Sequence, residues 1–391
     1  MTPDKSQQSA IDFALANRFA IVNGGAGTGK TTIIQYMAAQ VRNPALCAFA
    51  GKAAARLKEA TGHETSTIHR LLRYTGTTFR TTSLHGLNVI VDESSMIASD
   101  LLAEIVRREP ASLTLVGDQA QLPPVGSGQP FHDLINIRPD RVRTLENCYR
   151  NSEAVFKAAA AIRNGEMPLR NDKSEKEQWD VLATGDPAET QRVILGWVKS
   201  GYLDFSQDII LCPRNGETED APCTVKGLNR SIVDLVNPRR EEDEKFCVGD
   251  RVINTKNCSE KDVWNGTTGT IHAIDQDGQI WVKLDIPIKD YDADLSGEIS
   301  KDMVQFDKKM AKELQLAYAL TVHKSQGSQY RRVVFCCLNR DSHTLLGRSL
   351  IYTAITRTET QCAVVGNPSA FQQGINRVNH KRTVIQELAT R

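Results

Sequence analysis

Gly24-Gly25-Ala26-Gly27-Thr28-Gly29-Lys30-Thr31 follows the apolar run Phe19 to Val22 and leads into a helical stretch that starts at Thr32. The pattern G-x-x-x-x-G-K-S/T between a strand and a helix is that of a loop that cradles phosphates. Glycines let the backbone N–H groups of Gly25, Ala26, Gly27, Thr28, Gly29, Lys30, Thr31 and Thr32 approach an anion, and the helix N-terminus adds a favourable dipole. The Lys30 ammonium would reach the terminal phosphates and the Thr31 hydroxyl would ligate a metal, so ATP and Mg²⁺ are the cofactors this loop calls for.

Downstream, Val89-Ile90-Val91-Asp92-Glu93 is an apolar strand that ends in two carboxylates. A nucleotide-binding sheet presents its ligands at that edge, with Asp92 in the Mg²⁺ shell and Glu93 polarising the attacking water. Similar short apolar runs recur at Leu46 to Ala50, Leu113 to Val116, Ile209 to Cys212, Val333 to Leu338 and Cys362 to Val365, each followed by a turn or a helical pattern. That rhythm predicts an α/β fold with parallel strands buried on both faces by helices.

The chain has 391 residues, enough for two or three domains, and its 40% hydrophobic and 24% charged residues exclude global disorder. With 48 Lys+Arg against 47 Asp+Glu the net charge is +1, so any nucleic-acid site must be a local groove rather than a basic coat. Nine cysteines, an odd number without a C-x-x-C pair, read as buried reduced thiols. No signal-peptide pattern and no run of 18 apolar residues is present, so the expected location is cytoplasmic, including a viral protein in its host's cytoplasm, with no membrane partner.

After the charge-rich run Arg239 to Lys245 the pattern changes to Gly-punctuated strands: Val248 to Val252, Gly269 to Ile274 and Ile280 to Leu284, the last two joined by Asp277-Gly278. An Asp-Gly pair between alternating runs is a hairpin signal, so a small inserted β-barrel is expected over 244–313. The expected borders are 1–150 for a first domain and 151–243 with 314–391 for a second.

Four further runs complete a family resemblance: Leu115-Val116-Gly117-Asp118-Gln119-Ala120-Gln121-Leu122-Pro123, Leu145-Glu146-Asn147-Cys148-Tyr149-Arg150, Tyr318 to Gly327 and Tyr352-Thr353-Ala354-Ile355-Thr356-Arg357. In order and spacing these are similar to motifs III, IV, V and VI of superfamily 1 helicases. Ala50 to Leu57, Thr67-Ile68-His69 and His323-Lys324-Ser325-Gln326-Gly327 resemble the 1B branch, the RecD-like and Dda-like helicases. The resemblance implies two RecA-like P-loop domains with ATP in the cleft between them, an inserted Src-homology-3-like barrel, and 5′ to 3′ translocation.

By the same resemblance, Gln7 would read adenine, Gln121 would sense the γ-phosphate, Tyr149 would stack on adenine, and Arg150 and Arg357 would stabilise the transferring phosphoryl group. Gly327 joins the nucleotide contacts. Gly51, Lys52, Arg56, Thr67 and His69 would touch single-stranded DNA from the first domain, and Thr321, His323 and Ser325 from the second. The short 73–85 segment stands where relatives carry a strand-separating pin, with Phe79 expected near its tip. Trp264 is the barrel residue that stands out, with core packing as its more common role. Gly327-Ser328 is followed by Gln329 where the family commonly has Glu, which leaves a nucleotide contact by that side chain without support.

The implied function is ATP-dependent unwinding of DNA, with single-stranded and forked DNA as partners beside replication or recombination proteins. An RNA-directed helicase of the same branch, or an ATP-gated binding module that opens no duplex, remain the alternatives at this level.

Overall fold

The computed structural model describes residues 2–149, 153–169, 178–238, 245–258, 261, 263–292, 297–341, 343–378, 381, 383 and 385. Arg150 and most of the charge-rich run (239–244) lie outside the described residues. The chain divides into two compact units, Met1–Phe156 with Val378–Arg391, and Lys157–Arg377.

In chain order the first unit runs α1 (Lys5–Ala16), β1 (Phe19–Gly24), α2 (Lys30–Ala38), β2 (Pro44–Ala48), α3 (Gly51–Thr61), β3 (Thr65–Thr67), α4 (Ile68–Leu71), β4 (Asn88–Asp92), α5 (Ser99–Val106), β5 (Ser112–Gly117), α6 (Pro130–Ile137) and β6 (Val142–Leu145). Helix α1 starts on a capping box, in which the Asp4 carboxylate accepts from Gln7 N–H and the Gln7 side chain accepts from Asp4 N–H. The strands form one parallel sheet in the order β3-β2-β4-β5-β1-β6. Successive residues point to opposite faces: Ala20, Val22, Ile90 and Val116 pack with α1, α2 and α3, while Ile21, Val89, Val91, Leu113 and Leu115 pack with α4, α5 and α6. A sheet buried on both faces can place charged side chains only at its ends, which is where Asp92 stands.

The second unit continues with α7 (Glu153–Asn164), whose first residues belong to the first unit, then β7 (Gln178–Ala183), α8 (Pro187–Lys199), β8 (Ile209–Cys212), α9 (Val225–Val236), β9 (Arg251–Asn254), β10 (Thr268–Ile274), β11 (Ile280–Asp292), β12 (Gly297–Phe306), α10 (Lys308–Ala311), β13 (Leu314–Leu316), β14 (Ala319–Thr321), β15 (Tyr330–Cys337), α11 (Arg348–Ile355), β16 (Thr358–Gly366) and α12 (Pro368–Asn376). Its parallel sheet has the order β14-β8-β15-β16-β7. Helix α9 covers that sheet with Val225, Leu228, Ile232 and Val233, a helical spacing, and Thr224 caps it by accepting from Gly227 N–H.

A separate antiparallel sheet, β12-β11-β10-β9-β13, occupies the expected insertion and has its own apolar core, including Val252, Ile271, Val282, Val304, Phe306 and Leu314. The strand order is linear. It extends past the expected border because β13 pairs with β9. The Asp277-Gly278 hairpin joins β10 to β11, with Gly278 at φ 72°. The nine cysteines are free thiols; six are buried, while Cys148, Cys247 and Cys258 are half-buried. Among the described residues no helix is long and apolar enough to cross a membrane.

One border differs from the sequence reading, which assigned all of 314–391 to the second domain. Lys381 and Thr383 fall with the first unit, where the Thr383 hydroxyl donates to buried Asp133 at 2.6 Å. That side-chain match has no periodicity to announce it.

Asn229 of α9 ties the sheet's edge in place, donating to the carbonyls of Leu316 and Ala319 at 3.1 and 3.0 Å and accepting from Ala319 N–H at 2.8 Å. Asn229→Ala leaves these backbone groups short of partners, and should cost on the order of 3 kcal/mol in a denaturant titration.

Candidate nucleotide site

The loop after β1 is shaped by glycine where no other residue fits. Gly29 caps α2 at φ 81°, ψ 26°, and a Cβ there would stand 2.5 Å from the Gln7 side-chain nitrogen. Lys30 Nζ donates to the Gly24 and Gly25 carbonyls at 2.8 and 2.9 Å, and Thr28 Oγ1 donates to the Gly25 carbonyl at 2.9 Å. Thr31 and Thr32 follow in the first turn of α2. The Lys30 ammonium therefore rests on its own loop, held by neutral oxygens that a phosphate would replace.

The 146–149 segment runs against the same loop. Tyr149 N–H donates to the Gly27 carbonyl at 2.8 Å, and Cys148 Sγ lies 3.5 Å from the Ala26 carbonyl as donor. The Tyr149 hydroxyl and Asn147 Nδ2 both donate to Asp4 Oδ2. Hydrogen bonds from Gln7 N–H, Tyr149 and Asn147 hold the Asp4 carboxyl well below the usual carboxylate range. Gln7 is buried, and its Nε2 donates to the Thr28 carbonyl at 3.0 Å. The two residues expected at adenine thus meet beside Gly29 and are joined through Asp4, which the sequence reading did not single out.

Sheet order brings the carboxylates to the loop. β1 and β4 flank β5, so the ends of these three strands are neighbours. Asp92 ends β4, and Glu93 follows in the left-handed region at φ 50°, ψ 41°, a conformation costly for a non-glycine residue. Burial, then the nearby Glu93 charge, push the Asp92 carboxyl up to about 6, opposed by the charges of Lys30 and Arg56. Glu93 Oε2 is buried without a hydrogen-bond partner. A buried carboxylate oxygen left open is costly unless a ligand or water takes it. At the end of β5, Asp118 and Gln121 are buried, and Gln121 Oε1 is also open. The donor set of Thr31 and Asp92 with this open oxygen suits a hard divalent cation and its water.

The expected DNA residues of the first unit are spread over α3 and α4. Gly51 opens α3, whose N-cap Ala50 offers no side-chain cap. Lys52 follows it, and Arg56 sits one turn further, where its charge also acts on Asp92. Thr67 caps α4 by accepting from Arg70 N–H at 3.1 Å. His69 lies among Phe49, Tyr74 and Phe79, with ring centroids 6.2, 5.4 and 6.2 Å away, and burial pushes its imidazole pKa down.

The 73–85 segment does form a small hairpin, but Phe79 is not at its tip. Tyr74 and Phe79 face each other across an antiparallel bridge, and Thr75 N–H donates to the Thr78 carbonyl to close the turn at Gly76-Thr77. Phe79 packs toward the core and under Arg108, 5.7 Å from its ring centroid, whereas Tyr74 is 44% exposed. Turn chemistry outweighs the segment's length here: glycine takes the apex at φ 97°, leaving both aromatics at the base.

In the second unit Thr321 ends β14 and accepts from Lys324 N–H at 3.3 Å, and burial lowers the His323 pKa. Ser325, expected to touch DNA, is fully buried, with its hydroxyl donating to the Val322 carbonyl at 2.8 Å. Gly327 takes φ 75°. Arg357 is buried, and its guanidinium donates to the carbonyls of Thr353 and Ser328 and to Thr356 Oγ1. All three acceptors are neutral, so the charge itself is left uncompensated by them, a disposition suited to an incoming anion. Trp264 is half-buried, while Trp281 on β11 is the more exposed tryptophan of the inserted sheet.

Residues 2–186 match the AAA domain family model, and 316–365 match the UvrD-like helicase C-terminal domain. The chain is 31% identical over 383 residues to the ATP-dependent RecD2 DNA helicase of Deinococcus radiodurans, covering 94% of this chain and 50% of that protein. It is 29% identical to the RecBCD enzyme subunit RecD of Mycolicibacterium smegmatis, over 95% of this chain and 73% of that protein. The chain thus spans half the length of the first relative and about three quarters of the second. In fold it resembles the Pif1 helicase from Bacteroides in complex with ADP-AlF3 and ssDNA, with a TM-score of 0.53, 19% identity, and coverage of 97% of this chain and 95% of that one.

Lys30→Ala should abolish ATP hydrolysis, because the terminal phosphates lose their cation. Glu93→Gln should retain ATP binding but lose on the order of 10² or more in turnover, as an amide is a poor base. Parental turnover in Glu93→Gln, read by phosphate release, would remove Glu93 from water activation.

Proposed function

We propose that this chain is a superfamily 1B helicase, an ATP-driven motor that moves 5′ to 3′ along single-stranded DNA and opens forked duplex. The observation that carries the reading is that Lys30, after β1, and Asp92 with the unpartnered Glu93 oxygen, at the end of β4, stand at one edge of the sheet on either side of β5. Tyr149 would stack on adenine beside Gln7, and Gln121 would sense the γ-phosphate. Thr31 and Asp92 would hold Mg²⁺, which when bound neutralises charge on the phosphates.

Arg150 and Arg357 are proposed as the arginines that stabilise the transferring group, since charge spread over its oxygens calls for fixed cations. Arg357→Ala should lower turnover by roughly 10³ with little change in ATP affinity, and Arg357→Lys should rescue poorly, because an ammonium lacks the planar fork.

Gly51, Lys52, Thr67, His69, Thr321 and His323 supply amides, hydroxyls and rings suited to a backbone track that ignores sequence. The antiparallel sheet is taken as the Src-homology-3-like module of this branch, and the Tyr74–Phe79 hairpin as the pin, with Tyr74 its exposed aromatic.

Oligo-dT should stimulate hydrolysis, and affinity should fall with a log-log salt slope of about −0.7 per phosphate neutralised. A fork with only a 5′ tail should be unwound and one with only a 3′ tail should not. Efficient unwinding of the 3′-tailed fork alone would overturn the direction. Tyr74→Ala should slow unwinding while leaving DNA-stimulated hydrolysis intact.

A further inference from the structure

The stretch from Gln121 to α6 is held at several points along its length. Ser99 N–H donates to the Ser127 carbonyl at 2.8 Å. The remaining anchors come from a segment some 250 residues later in the chain: Lys381 Nζ donates to the Pro124 carbonyl at 3.2 Å and to the Gly126 carbonyl, and Thr383 Oγ1 donates to Asp133 Oδ2 at 2.6 Å. Gln129 Nε2 lies 3.4 Å from both Asp133 Oδ1 and the Lys381 carbonyl.

These contacts are built into the interior rather than laid on it. Asp133 is fully buried and Thr383 is 5% exposed, so the hydroxyl serves a carboxylate that water does not reach. Lys381, in turn, gathers two carbonyls of a loop whose apex, Val125, is 86% exposed and makes no core of its own. Between the gathered carbonyls and Gln121 stand Leu122, Pro123 and Pro124. Two successive prolines have fixed φ and restrict the residue before them, so a shift at the Pro124 carbonyl is passed along the chain rather than absorbed.

We propose that Lys381 and Thr383 form a strap that positions the Gln121 loop and so sets the turnover of the nucleotide site from outside it. The inference rests on the ATPase reading above for its effect on rate, and on the hydrogen bonds alone for its effect on the loop. Lys381 and Thr383 are positioning residues: neither touches the phosphate loop, and both act through the backbone that carries Gln121.

The test uses the full chain with Lys381→Ala, Thr383→Val and Thr383→Ser. In steady-state hydrolysis with oligo-dT, Lys381→Ala and Thr383→Val should lower kcat on the order of tenfold, because a misplaced sensor loses orientation. KM for ATP and the affinity for fluorescent ADP should stay within about twofold, since uniform binding is untouched. Thr383→Ser keeps the donor and should retain parental kcat. Amide exchange read on peptides should be faster over 118–128 in the first two variants and unchanged over β2. Parental kcat in Lys381→Ala overturns the control of turnover, and unchanged exchange over 118–128 overturns the strap. Faster exchange throughout the first unit, with KM rising in step, would show a general loss of structure and also overturn it. Should Thr383→Val fail to fold, Lys381→Ala decides. A parental chain that hydrolyses no ATP would overturn the motor reading instead, while the exchange measurement still decides the strap.

Discussion

Everything at the nucleotide site depends on where a doubly buried parallel sheet allows charge to stand. Its strand interiors are largely apolar on both faces, and charged side chains can be solvated or liganded only at the strand ends. The order β4-β5-β1 then places the Asp92-Glu93 pair, the Asp118 to Gln121 run and the phosphate loop at one edge. Lys30 belongs to this arrangement as much as the acids do. Its ammonium is kept on two loop carbonyls, and its charge opposes the rise that burial imposes on Asp92.

Left-handed backbone at Glu93 adds a second constraint. A glutamate there costs strain that glycine would avoid, so the position is held by its surroundings, and the outcome is a carboxylate oxygen buried without a partner. Strain and an unmet acceptor at the same residue point to a group kept ready for a ligand rather than for packing. Arg357 shows the opposite sign of the same economy. Its guanidinium is buried on neutral oxygens, an arrangement that costs desolvation and would favour an incoming anion.

Aromatic and hydroxyl groups were harder to place from sequence than charges. Phe79 and Tyr74 differ by five positions and share a hairpin, yet their exposure follows from the pairing across the turn and from Arg108, which lies far along the chain. Ser325 follows exposed His323 and half-buried Lys324, but the short helical turn His323–Ser325 puts its hydroxyl onto a backbone carbonyl. Asp4 carries the signal of a helix cap but none of a nucleotide site. Its role as the joint between Gln7 and Tyr149 exists only once the start of α1 and the residues after β6 lie side by side.

The sequence by itself determined the parallel α/β architecture, the phosphate loop, the paired acids after β4 and the interruption by an antiparallel sheet. Each of these is written in local periodicity or in a short run of residues whose spacing is the chemistry. Only the tertiary structure decided which strands are neighbours, which aromatic of the hairpin is exposed, that Ser325 turns inward, and that Lys381 and Thr383 return to the first unit. Those outcomes rest on hydrogen bonds and packing between residues up to 257 positions apart, and such contacts leave no trace in the spacing of either partner.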